Sequence, residues 1–322
     1  MSSEAFHPEV TVVMPAFNAA RTIRQAIDSV LQQSHSSLEL LVVDDASTDE
    51  TVAVVQGFSD RRIRLTTNAV NEGPGPCRDA AISEARGQWV TILDADDLYA
   101  PTRIESLLRV AQQYPKDIVI DNVVDCHDID SAVVPWRTVW DQRRFTPKAA
   151  AVREVDLPRF LQETRLLIKP FVSRELIARC GAKHGSSRNG EDLAFLYPLF
   201  AAGSVIRYVP ISTYLYRMTP GSLSTTNPDR HRMYREVFEN ARALFAADPR
   251  ALAAIDARLV QLNRVQTYQL FFSALQQKQW ERAIESAWSH PWIIGEFSKR
   301  VMQRLPLHLH RLLHGGQGRT IE

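Results

Sequence analysis

The chain has 322 residues, and its 38 Lys and Arg nearly cancel its 37 Asp and Glu, leaving a formal net charge of +1. At 45% hydrophobic and 23% charged it is ordinary globular material, long enough for about two domains and too neutral for a protein whose main task is gripping nucleic acid. Three dispersed cysteines exclude a disulfide framework and a Cys-rich metal site, while the lack of a ~20-residue apolar run or a signal peptide leads us to expect a cytoplasmic chain.

Val10–Met14 is a short β-branched run stopped by Pro15, which predicts a first strand. Ile23, Ala26, Ile27, Val30 and Leu31 then fall on one helical face. Leu38–Val43 is a second strand that ends at Asp44 and Asp45, and Ser47-Thr48 can cap the helix carrying Val52, Val55 and Phe58. A weaker strand at Ile63–Thr66 precedes a Gly/Pro/Asn loop and a small-residue helix through Ala80, Ala81 and Ala85. Trp89–Leu93 is a strand apolar enough to be buried on both faces. Ile104, Leu107, Leu108 and Ala111 line the next helix, and Asp117–Ile120 opens another strand. Strands alternating with helices at this spacing predict a doubly wound, mainly parallel sheet.

Beyond Trp89–Leu93 the chain places Asp94, Asp96 and Asp97 within four positions. Carboxylates so close repel unless positive charge sits between them. A hard divalent cation, Mg²⁺ or Mn²⁺, satisfies that need when substrate phosphate oxygens complete its shell; an acidic loop capping the helix after Pro101 is the structural alternative. Doubly wound sheets bind ligands beyond the carboxyl ends of their strands. Pro15–Asn18, Asp44-Asp45, Arg78 and Asp94–Asp97 all stand at or just past such ends, so they should converge on one rim.

The segment from Val123 to about Pro170 is less regular and mixes Trp136 and Trp140 with Arg137, Arg143 and Arg144. Rings beside arginines suit a sugar or pyrophosphate, or equally core packing with a solvated face. At Gly190–Phe195 the acidic pair Glu191 and Asp192 precedes an apolar helix, either as helix-start acids or as a catalytic base. Tyr214–Ser224 reads as a strand and a turn with Arg217 at their boundary. From about Asn227 only helical patterns occur, so we expect domains at 1–226 and 227–322. Trp292–Leu313 combines apolar residues with Lys299, Arg300, Arg304 and Arg311. Such a helix can lie on an anionic membrane surface or pack on its own domain.

Three segments together resemble the family 2 glycosyltransferases of GT-A fold. They are V-T-V-V-M-P-A-F-N through V-V-D-D-A-S-T-D-E-T (Val10 to Thr51), N-E-G-P-G-P-C-R-D through V-T-I-L-D-A-D-D (Asn71 to Asp97), and G-E-D-L-A-F (Gly190 to Phe195) with the later Y-R and G-S-L-S. The resemblance covers about the first 225 residues and leaves out the helical tail. Around Lys169–Leu196 the pattern is most like bacterial exopolysaccharide transferases of the succinoglycan type.

The resemblance implies an α/β GT-A sheet flanked by helices, followed by an all-helical extension. It implies that Pro15, Ala16 and Asn18 line a nucleotide pocket and that Asp45, beside Asp44, takes the uracil or ribose end. Arg78 would lie near the donor's sugar and phosphates, and Arg217 would help hold the pyrophosphate. Asp94 and Asp96 would be the D-x-D pair, Asp94 contacting ribose or sugar and Asp96 ligating Mg²⁺ or Mn²⁺. Asp192 would be the general base for inverting transfer from a nucleotide-sugar, such as UDP-glucose, to a saccharide or lipid-linked oligosaccharide. The acceptor would meet the enzyme at the inner face of the membrane. Asp79 departs from the family's frequent Asn, the processive Q-x-x-R-W segment is absent, and Met218 and Thr219 stand where a His is sometimes found. A sugar-phosphate nucleotidyltransferase would want a Gly-rich basic loop where P-A-F-N-A-A stands. A non-catalytic nucleotide-sugar binder is the remaining alternative.

Overall fold

The computed structural model describes residues 7–129, 132–138, 151–162, 168–218 and 229–299. The expectations for Trp140, Arg143 and Arg144, for G-S-L-S, and for the basic stretch beyond Lys299 lie outside the described residues, as do the side chains of Trp136 and Arg137.

The first half alternates strand and helix as its periodicity predicts. Strands β1 (Val10–Ala16), β2 (Leu38–Asp44), β3 (Ile63–Thr67) and β4 (Trp89–Ile92) are linked by helices α1 (Ile23–Leu31), α2 (Thr51–Gln56) and α3 (Pro74–Glu84). They pair in the parallel order β3-β2-β1-β4. β1 continues through Pro15, which sits opposite Val43. Every residue of β2 and β4 is buried, as expected of a sheet covered by helices on both faces. The register brings the carboxyl ends together: Ala16 lies opposite Asp44, and Asp44 opposite Thr67.

Beyond β4 the sheet becomes mixed. The short β5 (Leu98–Tyr99) and helix α4 (Arg103–Gln113) lead to β6 (Ile118–Ile129), which turns back as β7 (Ala132–Thr138). β8 (Arg153–Val155) and α5 (Leu157–Gln162) precede β9 (Phe171–Ser173), α6 (Arg174–Cys180), α7 (Glu191–Ala201) and β10 (Ile206–Arg217). β9 inserts antiparallel between β4 and β6, while β10 runs parallel to β6 and antiparallel to β5. The insertion matters for the site, because it carries the chain just before Phe171 to the end of β4. β10 also begins earlier than its tyrosine-rich end suggested.

The described tail is helical: α8 (Arg230–Leu244), α9 (Pro249–Gln276), α10 (Trp280–Ser289) and a further helical stretch at 292–299. The chain forms two compact units, Met1–Arg258 and Leu259–Glu322, divided within α9. Helix α8 therefore belongs with the sheet; its Tyr234 and Val237 stand 3.2 and 3.3 Å from where a Cβ on Gly190 would lie. The second unit has its own small core of Tyr268, Phe271, Ala274, Ala283 and Ile293. Among the described residues no helix is long and apolar enough to cross a membrane.

Candidate active site

The loops after β1 and β2 brace one another. Asn18 takes a left-handed backbone conformation (φ 48°), which Asn tolerates better than most residues. Its Oδ1 accepts the Thr48 amide at 2.8 Å, and its own amide donates to Ser47 Oγ at 2.9 Å. Asp44 is buried; its Oδ2 accepts the Ser47 amide at 3.0 Å, while Oδ1 has no hydrogen-bond partner among the described residues. The Asp45 carboxylate accepts from Asn68 Nδ2 at 2.9 Å and from the amides of Glu72 and Gly73 at 2.9 and 2.7 Å. Burial works against its charge, but these donors outweigh it and hold the carboxyl below the usual range. Pro15, Ala16, Asn18, Asp44 and Asp45 thus do share one rim, and here they bind mainly each other's loops.

The second group of acids meets on cations. Arg78 projects from α3 with only 4% of its side chain exposed. Its Nη1 donates to Asp192 Oδ1 at 2.9 Å and Glu191 Oε1 at 3.1 Å, and its Nη2 donates to Asp94 Oδ1 at 2.8 Å. One guanidinium therefore joins the end of β4 to the start of α7, with Arg78 itself 114 positions from Asp192. Lys169 Nζ donates to the other oxygen of Asp94. Burial pushes the Asp94 carboxyl up, but Lys169 and Arg78 outweigh it and hold the group far below the ordinary carboxylate range.

Gly190, at φ 84°, turns the chain into α7, so Glu191 and Asp192 occupy the first turn, where the helix dipole favours acids. Burial, reinforced by the neighbouring Asp192, raises the Glu191 pKa. Asp192 is the more open of the two, with 32% of its side chain exposed against 13% for Glu191.

The three-carboxylate loop divides its work. Asp97 is fully buried and points inward, accepting Tyr214 Oη at 2.6 Å and the Arg217 amide at 2.8 Å. Burial drives its pKa well above the usual value, and Asp96 and Asp94 add to the shift. Asp97 is therefore a structural acid. Arg217, assigned to the pyrophosphate by resemblance, instead donates to Asp128 at 2.9 and 3.0 Å, to Gln25 Oε1 at 2.6 Å and to the Asp96 carbonyl at 2.8 Å. Two segments remote from the D-x-D loop thus claim its donors. Asp96 alone keeps a half-buried carboxylate that takes no hydrogen bond from another residue among those described. Burial and then Asp94 raise its pKa.

A hard divalent cation fits that oxygen, because an unpartnered carboxylate destabilised by a like charge gains most from one. Asp94, with a cation on each oxygen, is not free in the same way. Among the described residues no group of three or more His, Cys, Asp or Glu is arranged to hold a metal. The fit is therefore to a shell completed by substrate and water.

Some participants were given no role by the resemblance. Lys169 lies 75 positions from Asp94. Asp79, the departure from the usual Asn, accepts the amide of His184 at 2.8 Å, its Nδ1 at 3.0 Å and the Gly185 amide at 3.0 Å. The His184 ring stacks on Phe195 of α7 with centroids 4.4 Å apart. This brace ties α3, which carries Arg78, to the helix that presents Asp192.

The family model described as glycosyl transferase family 2 matches residues 11–171, half of the chain. The chain belongs to glycosyl transferase family 2. Its relatives include the succinoglycan biosynthesis protein ExoO of Rhizobium meliloti, 28% identical over 95% of this chain and 89% of that protein. The Escherichia coli UDP-Glc:alpha-D-GlcNAc-diphosphoundecaprenol beta-1,3-glucosyltransferase WfgD is 42% identical over 30% of this chain and 38% of its own length. The structure of S. aureus TarS 1–349 in complex with UDP-GlcNAc matches with a TM-score of 0.65 at 17% identity, over 86% of this chain and 79% of that one. At that identity the likeness establishes the fold. This family 2 glycosyltransferase therefore has the GT-A architecture that its sequence resemblance implied, with C-terminal helices added.

Proposed function

We propose that this glycosyltransferase moves one hexose from a UDP-linked donor to a hydroxyl of a saccharide or lipid-linked oligosaccharide, inverting the anomeric carbon, in the assembly of bacterial surface or exopolysaccharide. The observation that carries the reading is the single Arg78 guanidinium holding Asp94, Glu191 and Asp192 together at the rim beyond the parallel strands. The relatives' names favour the same chemistry: one acts in succinoglycan biosynthesis, one transfers glucose from UDP-Glc, and one fold neighbour was solved with UDP-GlcNAc.

In this reading Asp192 accepts the proton of the acceptor hydroxyl as that oxygen bonds the anomeric carbon. The bond from that carbon to the diphosphate oxygen breaks, and the electron pair leaves with the nucleoside diphosphate. Asp94, held by Arg78 and Lys169, orients a hydroxyl of the donor, and Arg78 keeps Asp192 aimed. Asp96 would hold Mg²⁺ or Mn²⁺, whose chemistry is to neutralise charge on the departing diphosphate. The nucleotide lies against Pro15, Ala16, Asn18 and Asp45. We place the protein in the cytoplasm, with the acceptor reached at the inner membrane face.

The test is to incubate purified protein with a panel of labelled nucleotide-sugars and follow both slow donor hydrolysis and transfer to lipid-linked acceptors. Turnover of a UDP-hexose is expected. Tight UDP-sugar binding with no turnover of any donor would favour a binding protein instead.

A further inference from the structure

We propose that Lys169 is a positioning residue of the donor site, fixing Asp94 and supplying, with Arg78, the positive charge that admits a nucleoside diphosphate to a cleft crowded with carboxylates. The proposal rests on the transferase reading above and gives a role to a residue to which the resemblance assigned none.

The placement of Lys169 is set by the core. Its carbonyl accepts Arg103 Nη2 at 3.0 Å, and Arg103 is fully buried, paired with Asp121 at 2.9 Å and stacked 4.3 Å from the Tyr99 ring centroid. Lys169 Nζ sits 5.5 Å from the Tyr214 ring centroid, and Tyr214 Oη in turn bonds the buried Asp97. The side chain is 5% exposed, whereas its partner Asp94 is 25% exposed. The open side of the pair is thus the carboxylate, and Lys169 reaches the cleft through it.

Charge makes the residue necessary. Asp94, Asp96, Asp97, Glu191 and Asp192 all feel the Lys169 ammonium. Among the described residues Arg78 and Lys169 are the cations that bond these carboxylates directly, whereas the Arg217 guanidinium is paired with Asp128 and reaches Asp96 at its carbonyl. With five acids against two cations the cleft is already acidic, and losing one of those cations would deepen the repulsion met by a diphosphate carrying two or more negative charges; low-dielectric surroundings magnify the effect. Losing Lys169 also frees one oxygen of Asp94, so the carboxylate can rotate away from the direction the donor hydroxyl needs.

The experiment titrates UDP and, separately, uridine into the full-length wild type, Lys169→Met and Lys169→Arg by calorimetry, alongside donor KM and kcat. Methionine keeps an unbranched stem over Tyr214, and uridine binding reports that the variant is folded. For Lys169→Met we expect uridine affinity within about twofold of wild type, UDP affinity down by about tenfold or more, donor KM raised in parallel and kcat changed less. Lys169→Arg should recover most of the UDP affinity. Unchanged UDP affinity in Lys169→Met overturns the proposal, as does equal loss of uridine and UDP that Arg fails to restore, because that is the pattern of a fold defect. A wild type that binds neither ligand overturns the transferase reading, and the proposal with it.

Discussion

Two sets of acids share the rim of this sheet, and they are held in opposite ways. Asp45 is satisfied by an amide side chain and two backbone N–H groups of the loop that follows β3. Asp94 and Asp192 are satisfied by Arg78 and Lys169, cations delivered by distant segments. A carboxylate bound by backbone amides is locked to its loop and shapes the pocket. A carboxylate bound by a long cationic side chain sits in an electrostatic balance that an incoming anion can change. In the proposed reading the first set builds the site and the second operates it.

The strongest way to break that distinction is Asp192→Asn, which retains a carbonyl oxygen for Arg78 but cannot take a proton. Turnover should fall by about 10²–10⁴-fold, roughly 3–5 kcal/mol of barrier, with UDP affinity and thermal midpoint nearly unchanged. Activity within about threefold of wild type would remove Asp192 from the mechanism. Next in size, Asp96→Ala should abolish the part of UDP affinity that depends on added Mn²⁺, read by calorimetry with and without the ion. An unaltered Mn²⁺ dependence would give the cation to another residue.

Asp94→Asn leaves two nearly buried cations facing a neutral group. We expect a stability loss of about 3 kcal/mol in urea unfolding, at the low end for a broken buried pair because Arg78 keeps Glu191 and Asp192. A variant as stable as wild type would mean that the cations repartner freely. Asp45→Asn should cost about 1–3 kcal/mol, since one backbone amide would then face an NH₂ group, with little change in kcat. Large loss of kcat at unchanged stability would move Asp45 into the operating set.

The smallest effect is on pH. Asp45, Asp79 and Asp94 have folded pKa values below their unfolded ones. The stability they contribute is complete above about pH 5 and is lost as pH falls below about 4 and through the folded values, because the unfolded chain takes up protons first. Asp96, Asp97 and Glu191 have the opposite sign and favour the folded state at lower pH. Thermal midpoints between pH 3 and 7 should therefore drop on the acid side, and Asp45→Asn should make that drop shallower.

Much of this is legible in the sequence. The alternation of β-branched runs with helical stripes marked β1 to β4, because a parallel sheet buried on both faces demands continuous apolar strands. Acids at the strand ends marked the rim, because a charge cannot continue into that core. Three residues show where the reading stopped. Asp97 looked like a third rim acid, yet the chain turns it inward to Tyr214. Arg217 matched a family position, yet Asp128 and Gln25 occupy it. Lys169 opens a recognised stretch but was given no role there, because its meaning depends on β9 being inserted beside β4.

What sequence alone determined was local: which segments become strands, where they must end, and which family shares those endings. Backbone propensity and hydrophobic period act over a few residues, and so can be read from a few residues. Which acid is free, which is neutralised and which cation serves it are questions of distance between segments up to 192 positions apart. Electrostatic energy follows that distance rather than spacing along the chain, so only the folded sheet decided them.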